Sequence, residues 1–494
     1  MTAVASTETS GPTQPSATSD NGADEKKLAL ERSNLDASCS GAVLWFFTSA
    51  IGWLLLSTLL GLVTSLKLHI PDFLGDCQYM SYGRVAPAYK MALTYGWASV
   101  SAMGVGIWLM SRLCRVPVRF PGMLKFGNLL WNSGLTLAIV LQIAGHGQAL
   151  EGMDIRTGPA VLMFAGYLLI GSWGAILYRA RRSGPAYISV WYLLGAFFWF
   201  PWFFGVAHCL TARGALQGVM NNVVAAWYQQ GLSLFWLTAV GLAAAYYLIP
   251  KVVNRPVYSY NLASVGFWSF AIVGGLTSLV RLSGGPVPAW MVTLSIAANI
   301  VMLVPVLTAV VNFLATVRGH SDLVYCSPTL RFSLFGAVAF AVTNVVALAA
   351  SLRGVDRVVH FTQFASGQYH LLTYSFFSMV MFGAIYYITP RLVGCEWLSA
   401  TLIKFHFWGS AYGGSLLAGL LLISGIFTGI ALADPDAAFR QALQMAQSYY
   451  FGQSLAYGIL GLGHWIFSLH FLLMLLRIGQ PGTQPTRFSK PGAH

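Results

Sequence analysis

The sequence predicts an all-α polytopic membrane protein of about twelve transmembrane helices, and three observations carry that expectation. Of 494 residues, 56% are hydrophobic and only 9% are charged. Soluble domains carry roughly 25% charged residues, so this chain lacks the charge to cover a water-facing surface. Mean hydropathy is +0.65. From residue 42 onward, apolar runs long enough to cross a ~30 Å hydrocarbon core recur. Turn and breaker residues separate them, including Pro71, Pro117, Pro185, Pro256, Pro286 and Pro435.

The runs fall at about 42–66, 90–111, 126–146, 158–178, 188–211, 222–249, 259–281, 289–316, 329–351, 363–389, 403–431 and 451–476, with ends good to ~2–4 residues. Residues 1–38 are rich in small polar residues and then charged at Glu25, Lys26, Lys27, Glu31 and Arg32. So few apolar groups predict a disordered cytoplasmic tail. No apolar stretch follows a basic start within it, so it is not read as a signal peptide. Three units are expected: the tail at 1–38, a twelve-helix membrane domain at 39–478, and a cytoplasmic C-terminal tail at 479–494.

The net charge is +13. Its distribution is that of membrane loops. Arg112, Arg115, Arg119 and Lys125 share one connection, Arg179, Arg181 and Arg182 another, and Lys251 and Arg255 a third. The alternate loops carry Asp72, Asp76, Glu151, Asp154, Asp434 and Asp436. The positive-inside rule then places both termini in the cytoplasm of a bacterial inner membrane. No basic patch with interleaved aromatics appears, which excludes nucleic acid as an expected partner. The six cysteines form no Cys-x-x-Cys pair, so zinc, iron–sulfur and covalent c-haem motifs are absent. No clear internal repeat is visible.

Ionisable groups inside a membrane are functional hypotheses by default, although a neutral imidazole can simply bond a neighbouring helix. His69, His146, His320 and His360 fall at loops or helix ends, and His494 is terminal. His208, His370, His406, His464 and His470 fall within or near helices. His464 and His470 are six positions apart on the last run, on different faces, so joint ligation is not expected. His406, near Lys404, is expected to meet headgroups, and His208 to make a structural hydrogen bond. Aromatics make up 14% of the chain. They serve either interfacial packing or the lining of a flat cofactor.

Two regions carry a specific resemblance. One reads Trp227-Tyr228-Gln229-Gln230, then Tyr246-Tyr247-Leu248-Ile249-Pro250-Lys251, then Arg255-Pro256-Val257-Tyr258-Ser259-Tyr260. The other runs from His360 through Gln368-Tyr369-His370 to Tyr386-Tyr387-Ile388-Thr389-Pro390-Arg391. Both resemble the catalytic subunit of the cbb-type haem–copper cytochrome c oxidases, over nearly the whole membrane region. The resemblance implies a subunit I-like helix bundle in a respiratory complex, with c-type cytochrome subunits as partners besides the lipid bilayer. For the family it implies cytochrome c oxidation, oxygen reduction and proton pumping.

The departures are as informative. The family's first copper histidine falls on Gln230 and its adjacent pair on Val280 and Arg281. Its cross-linked tyrosine falls on Gly274, and its high-spin haem ligand on Gln368. A three-histidine copper site needs imidazole nitrogens, so copper and an oxygen-reducing centre are not expected. His370 matches a low-spin haem ligand, and the opposite ligand position holds Tyr89 in Gly83-Arg84-Val85-Ala86-Pro87-Ala88-Tyr89. Two arrangements stay open: one low-spin haem b on His370 with or without Tyr89, or no haem, with Tyr89 packing. Arg281 either snorkels or meets a haem propionate. Three functions are carried forward: a scaffold or single-haem relay subunit of a respiratory complex, an active terminal oxidase, and a non-redox transporter, which would show an inverted repeat with broken helices.

Overall fold

The computed structural model describes residues 17–488 apart from 149, 151, 183, 213, 214 and 485. Residues 1–16 of the predicted N-terminal tail, Glu151 and His494 therefore lie outside the described residues. Among the described residues the chain is helical, and eleven helices are long and apolar enough to cross a membrane. With one further segmented helix they are numbered here α1 to α12. They are α1 Ala17–His69, α3 Pro121–Ile143, α4 Thr157–Arg179, α5 Ile188–Thr211, α6 Val219–Val253, α7 Tyr260–Leu282, α8 Ala289–Val317, α9 Pro328–Ser351, α10 Phe364–Val393, α11 Ala400–Ala433 and α12 Phe439–Leu475. The twelfth predicted run is α2, a continuous helical path through Tyr82–Met91, Ala92–Ala98 and Ser99–Cys114. It is less apolar than the rest because the stretch between Lys90 and Arg112 is interrupted by Thr94, Ser99, Ser101 and Ser111 and by glycines. It is buried almost throughout from Ala88 to Met110.

Two expectations about the ends are corrected. Residues 17–38 are not a separate disordered stretch but the start of α1. Helix nucleation is the costly step, and the membrane span already supplies it. The extension is also held by Asp36, which accepts from Trp108 Nε1 at 2.9 Å and pairs with Arg112 at 3.2 Å. At the other end, residues 479–488 are not free. Gln480 accepts from the Glu396 backbone N–H at 2.8 Å, and the Phe488 N–H donates to the Cys326 carbonyl at 2.8 Å. The Phe488 ring is buried beneath Arg331 and Lys404.

The bundle is organised around α2, α6 and α10. The central windows of α6 and α10 are 89% and 94% buried, against 33–50% for the other spans, which face lipid on one side. Each inner helix contains one π-helical stretch: Ala92–Ala98, Leu232–Thr238 and Leu371–Ser378. Such stretches leave carbonyls without the normal helical partner and are frequent at functional sites. Here the same remedy recurs three times. The hydroxyls of Ser99, Thr238 and Ser378 donate to the carbonyls of Thr94, Ser233 and Thr373 at 2.7, 2.9 and 2.6 Å.

Those hydroxyls also tie the inner helices together. Trp97 Nε1 of α2 donates to Ser378 Oγ of α10 at 2.7 Å, and Trp236 Nε1 of α6 donates to Ser99 Oγ of α2 at 3.0 Å. In α10 the corresponding place holds Phe376, which packs on Gly241 of α6. Each helix then ends on a left-handed residue (Arg115, Asn254 and Gly394) whose N–H returns to Ser111, Pro250 or Pro390. Hydroxyl and cap are spaced identically: 115 − 99, 254 − 238 and 394 − 378 are all 16. The molecule thus has a repeat that the sequence analysis did not find. It is three-fold and rotational, not the inverted repeat of a transporter.

The indole bonds give a direct test. Trp97→Phe keeps an aromatic six-membered ring but removes the pyrrole half of the indole, so it leaves one buried hydrogen bond unmade and opens a small space. It is expected to destabilise the detergent-solubilised protein by about 1–3 kcal/mol, read as a lowered thermal midpoint. Trp408→Phe on the lipid-exposed side of α11 serves as the reference and is expected to change little.

Candidate functional site

A cavity of about 840 Å³ lies between the inner helices, in the half of the bundle away from the start of α1. It is walled by the early turns of α2, α6 and α10, the end of α7, and the loop between α3 and α4. Its size is that of a cofactor or ligand pocket. Amide and cationic side chains dominate its polar lining, among them Gln229, Gln230, Gln368, Arg84 and Arg281.

The structure brings Tyr89 and His370 together at the wall of this cavity. Tyr89 Oη lies 2.6 Å from His370 Nε2, and Tyr457 Oη of α12 lies 3.0 Å from the same nitrogen. The other ring nitrogen, Nδ1, lies 2.5 Å from the Ser366 carbonyl. A carbonyl only accepts, so Nδ1 carries the hydrogen and Nε2 presents the lone pair. That lone pair is engaged by the two phenols, with Tyr89 the closer donor. Packing fixes the arrangement: both tyrosine rings enter against Gly61 of α1, where a Cβ would come 2.6 Å from Tyr457 Cε1 and 3.0 Å from Tyr89 Cε2.

This geometry does not fit a haem held between Tyr89 and His370. Metal bonds to nitrogen and oxygen run about 2.0–2.2 Å, so axial donors on opposite sides of an iron stand about 4 Å apart. The observed 2.6 Å leaves no such gap. A haem on His370 alone requires the Nε2 lone pair, which Tyr89 and Tyr457 occupy.

Of the positions matched to copper ligands, Gln230 and Arg281 line the cavity, in a different chemistry. Gln230 Nε2 donates to Thr277 Oγ1 at 2.9 Å, and Thr277 Oγ1 donates to the Gly274 carbonyl at 2.8 Å. Arg281 Nη1 donates to Gln229 Oε1 at 3.3 Å. Arg281 thus turns to the cavity rim and does not simply snorkel to headgroups. Val280 contributes its backbone N–H, bonded to Ser295 Oγ at 3.0 Å. Gln368 lines the cavity. At Gly274 a Cβ would come 2.9 Å from Phe235 Cζ. That ring fills the space beside the place of the family's tyrosine, and α7 changes to 3₁₀ turns from Gly274 onward. Among the described residues, no group of three or more His, Cys, Asp or Glu is placed to hold a metal ion.

The three-fold repeat relates these positions. Counting back from Asn254 and Gly394, Gln230 and His370 each stand 24 residues before the left-handed cap. The site of the first copper ligand and the site of the low-spin haem ligand are therefore the same place on two successive inner helices.

The other histidines are settled by their contacts. His208 Nδ1 bonds the Phe204 carbonyl at 2.9 Å, a structural hydrogen bond of the kind expected. His406 does not reach headgroups: it is fully buried and bonded to Tyr386 Oη at 2.9 Å, because its helix turns that face toward α10 and α12. His464 and His470 are also fully buried. Sequence reasoning missed Tyr457, which lies 87 residues from His370 and has no flanking motif. It also missed the π-helical stretches, whose one visible trace is the recurrence of Tyr-Tyr-x-x-Pro-basic at Tyr246–Lys251 and Tyr386–Arg391.

An inner trio of π-kinked helices, an amide-lined central cavity and nine outer helices define a membrane protein of the haem–copper oxidase subunit I class. The family model described as cytochrome c and quinol oxidase polypeptide I matches residues 41–459, and the chain belongs to that family. It is 25% identical to a cytochrome c oxidase subunit 1 homolog of Agrobacterium tumefaciens (strain T37), over 82% of this chain and 78% of that one. It is 23% identical to the cbb3-type cytochrome c oxidase subunit CcoN1 of Stutzerimonas stutzeri, over 78% and 83% of the two chains. A haem–copper terminal oxidase dimer solved by cryo-electron microscopy superposes with a TM-score of 0.73, covering 92% of this chain and 88% of that one at 13% identity, a likeness of fold alone.

The Tyr89–His370–Tyr457 cluster predicts a ranking. Tyr89→Phe is expected to destabilise more than Tyr457→Phe, since the 2.6 Å bond is the shorter of the two. Each loss is expected at about 1–3 kcal/mol. Gly61→Ala forces both rings from their seats and is expected to cost about 1–3 kcal/mol through overpacking. Thermal midpoints of the three variants in detergent check the order.

Proposed function

We propose that this chain is a membrane subunit of a respiratory electron-transfer complex that keeps the subunit I fold without an oxygen-reducing haem–copper centre. In this reading it is a scaffold on which c-type cytochrome subunits dock. The observation that carries it is the donor set of the cavity. Where the resemblance places three copper-binding imidazoles, the chain offers the amide of Gln230, the apolar Val280 and the guanidinium of Arg281. Copper sites of this kind need nitrogen lone pairs. A guanidinium has none to give, stays protonated and repels a cation. Gln230 is moreover bound to Thr277, and Arg281 to Gln229. The high-spin haem position, Gln368, likewise offers an amide.

The low-spin haem is left out of this reading. Its matched ligand His370 is bonded to two tyrosines in a slot closed against Gly61. The function then rests on the helix bundle and its surfaces. The chain itself carries no Cys-x-x-Cys-His motif, so c-type haem in such a complex comes from other subunits. The face bearing Arg112, Arg115, Arg181, Lys251 and Arg255 is the cytoplasmic one, by the bias of short loops toward Lys and Arg.

Elemental analysis, haem extraction and oxygen uptake with a reduced c-type cytochrome, all on the purified full chain, test the reading together. Substoichiometric copper, no bound haem and no oxygen uptake are expected. Copper and two haems per chain with oxygen uptake would overturn it. One b-type haem lost on His370→Ala would replace the scaffold with a single-haem relay. Sidedness is tested separately: a cysteine introduced at Tyr187 is expected to resist a membrane-impermeant maleimide in intact cells, and one at Tyr79, on the opposite face, to react.

A further inference from the structure

A second cavity, of about 510 Å³, lies on the basic face of the bundle and shares no lining residue with the central one. It is walled by the N-terminal extension of α1, the end of α2, the first residues of α5, the end of α6 and the loop from α6 to α7. Its size suits a small ligand or the headgroup of a larger one.

The charge around it is one-sided. Five cations line it, Arg32, Arg112, Arg115, Lys251 and Arg255, against one acid, Glu31. Glu31 is engaged by Arg182 at 2.9 Å, and Asp36, the next acid along α1, by Arg112 at 3.2 Å. Among the described residues, Arg32, Arg115, Lys251 and Arg255 have no ion-pair partner. Lys251 also stands within electrostatic reach of Arg32, Arg112 and Arg391. Cations gathered in this way repel one another, and one anion among them removes that cost. The orientation bias of membrane loops scatters Lys and Arg over a whole face. It does not account for their convergence on a cavity walled by a remote segment. That wall is fixed in place, since Arg112 Nη1 donates to the Arg32 carbonyl at 3.0 Å.

The neutral groups point to the same ligand. Ile188 and Ser189, the first residues of α5, line the cavity, and the N-cap Tyr187 makes no side-chain capping bond. The uncapped N-terminus of a 24-residue helix thus adds its positive end to the cations. Tyr246 also lines the cavity, and its hydroxyl is buried without a hydrogen-bond partner. Native interiors leave few such groups unmet. Leu28, Leu113, Val257 and the Tyr260 ring complete the lining, with Leu28 and Tyr260 exposed. Cations above apolar side chains match a charged headgroup above acyl chains.

We propose that this cavity binds an anionic phosphate ester, with Arg32, Arg115, Lys251 and Arg255 as its cationic ligands. A phosphate offers several oxygens at once, which suits guanidinium groups arriving from different helices. An acidic phospholipid and a soluble phosphate ester share this chemistry, and the apolar lining favours the lipid. The site needs no metal or haem, and it stands whether or not the scaffold reading does.

Native mass spectrometry of the delipidated full chain in detergent tests it, with phosphatidylglycerol, phosphatidylcholine and glycerol 3-phosphate as probes. Phosphatidylglycerol is expected to bind about ten-fold more tightly than phosphatidylcholine, whose choline cancels its charge. Lys251→Gln and Arg255→Gln are each expected to weaken that binding about five-fold. Arg179→Gln, on the same face but outside the cavity, is expected to leave it unchanged. Glycerol 3-phosphate that fails to displace the lipid identifies a headgroup as the ligand, and glycerol 3-phosphate that binds as tightly identifies a soluble ester; both support the site. Equal affinity for the two lipids without binding of glycerol 3-phosphate overturns it, as does an equal loss on Arg179→Gln. All three substituted side chains are exposed. Where a variant does not fold, the wild-type preference between the two lipids still decides.

Discussion

The hydroxyl that closes each π-helical stretch is the interaction on which the rest of this structure depends. Ser99, Thr238 and Ser378 each satisfy a carbonyl that the widened turn releases, and two of them also receive an indole N–H from the next inner helix. In a lipid interior no water is at hand to repair an unmet backbone group. The bonds therefore both permit the bulge and fix the rotation of α2, α6 and α10 about one another. That rotation decides which side chains point into the central cavity.

The cavity sits inside a frame that does not depend on its lining. The inner helices hold their positions through contacts remote from the cavity, so substitution at Gln230, Val280, Arg281 and Gln368 does not disturb the frame. Two of these side chains are polar groups bonded within the protein, Gln230 to Thr277 and Arg281 to Gln229. At the other wall the change is steric as well as chemical. Tyr89 and Tyr457 close on His370 because Gly61 leaves room for both rings. A phenol in that seat satisfies the imidazole directly.

The buried histidines divide into two kinds by their partners. His370 is satisfied on both nitrogens within the protein, by a carbonyl and two phenols. His208, His406, His464 and His470 are each bonded within the protein on one nitrogen alone. Unmet groups of this kind cost about 1–3 kcal/mol each in a dry interior. The sector of α10 to α12 thus differs in character from the satisfied cluster beside the cavity, although the two touch at Tyr374.

The sequence by itself determined the membrane class, the number of helices and the family. Those follow from the solvent: lipid imposes run length, hydropathy and loop charge residue by residue, and the motifs around Tyr246–Lys251 and Tyr386–Arg391 are contiguous. It also marked Gln230, Val280, Arg281 and Gln368 as positions where the family's ligands are replaced, and His370 and Tyr89 as the pair that would face a haem. Tertiary structure alone decided that Tyr89 and His370 bond each other, that Tyr457 joins them, and that the three inner helices repeat. These depend on contacts between residues 87 to 281 positions apart, or on backbone hydrogen bonds shifted by one residue. Neither leaves a local pattern. The same holds for the N-terminal extension of α1. Its composition reads as unfolded until Trp108 and Arg112, about 70 residues on, supply partners for Asp36. A charge that argues for solvent in isolation argues for a helix once its partner is in place.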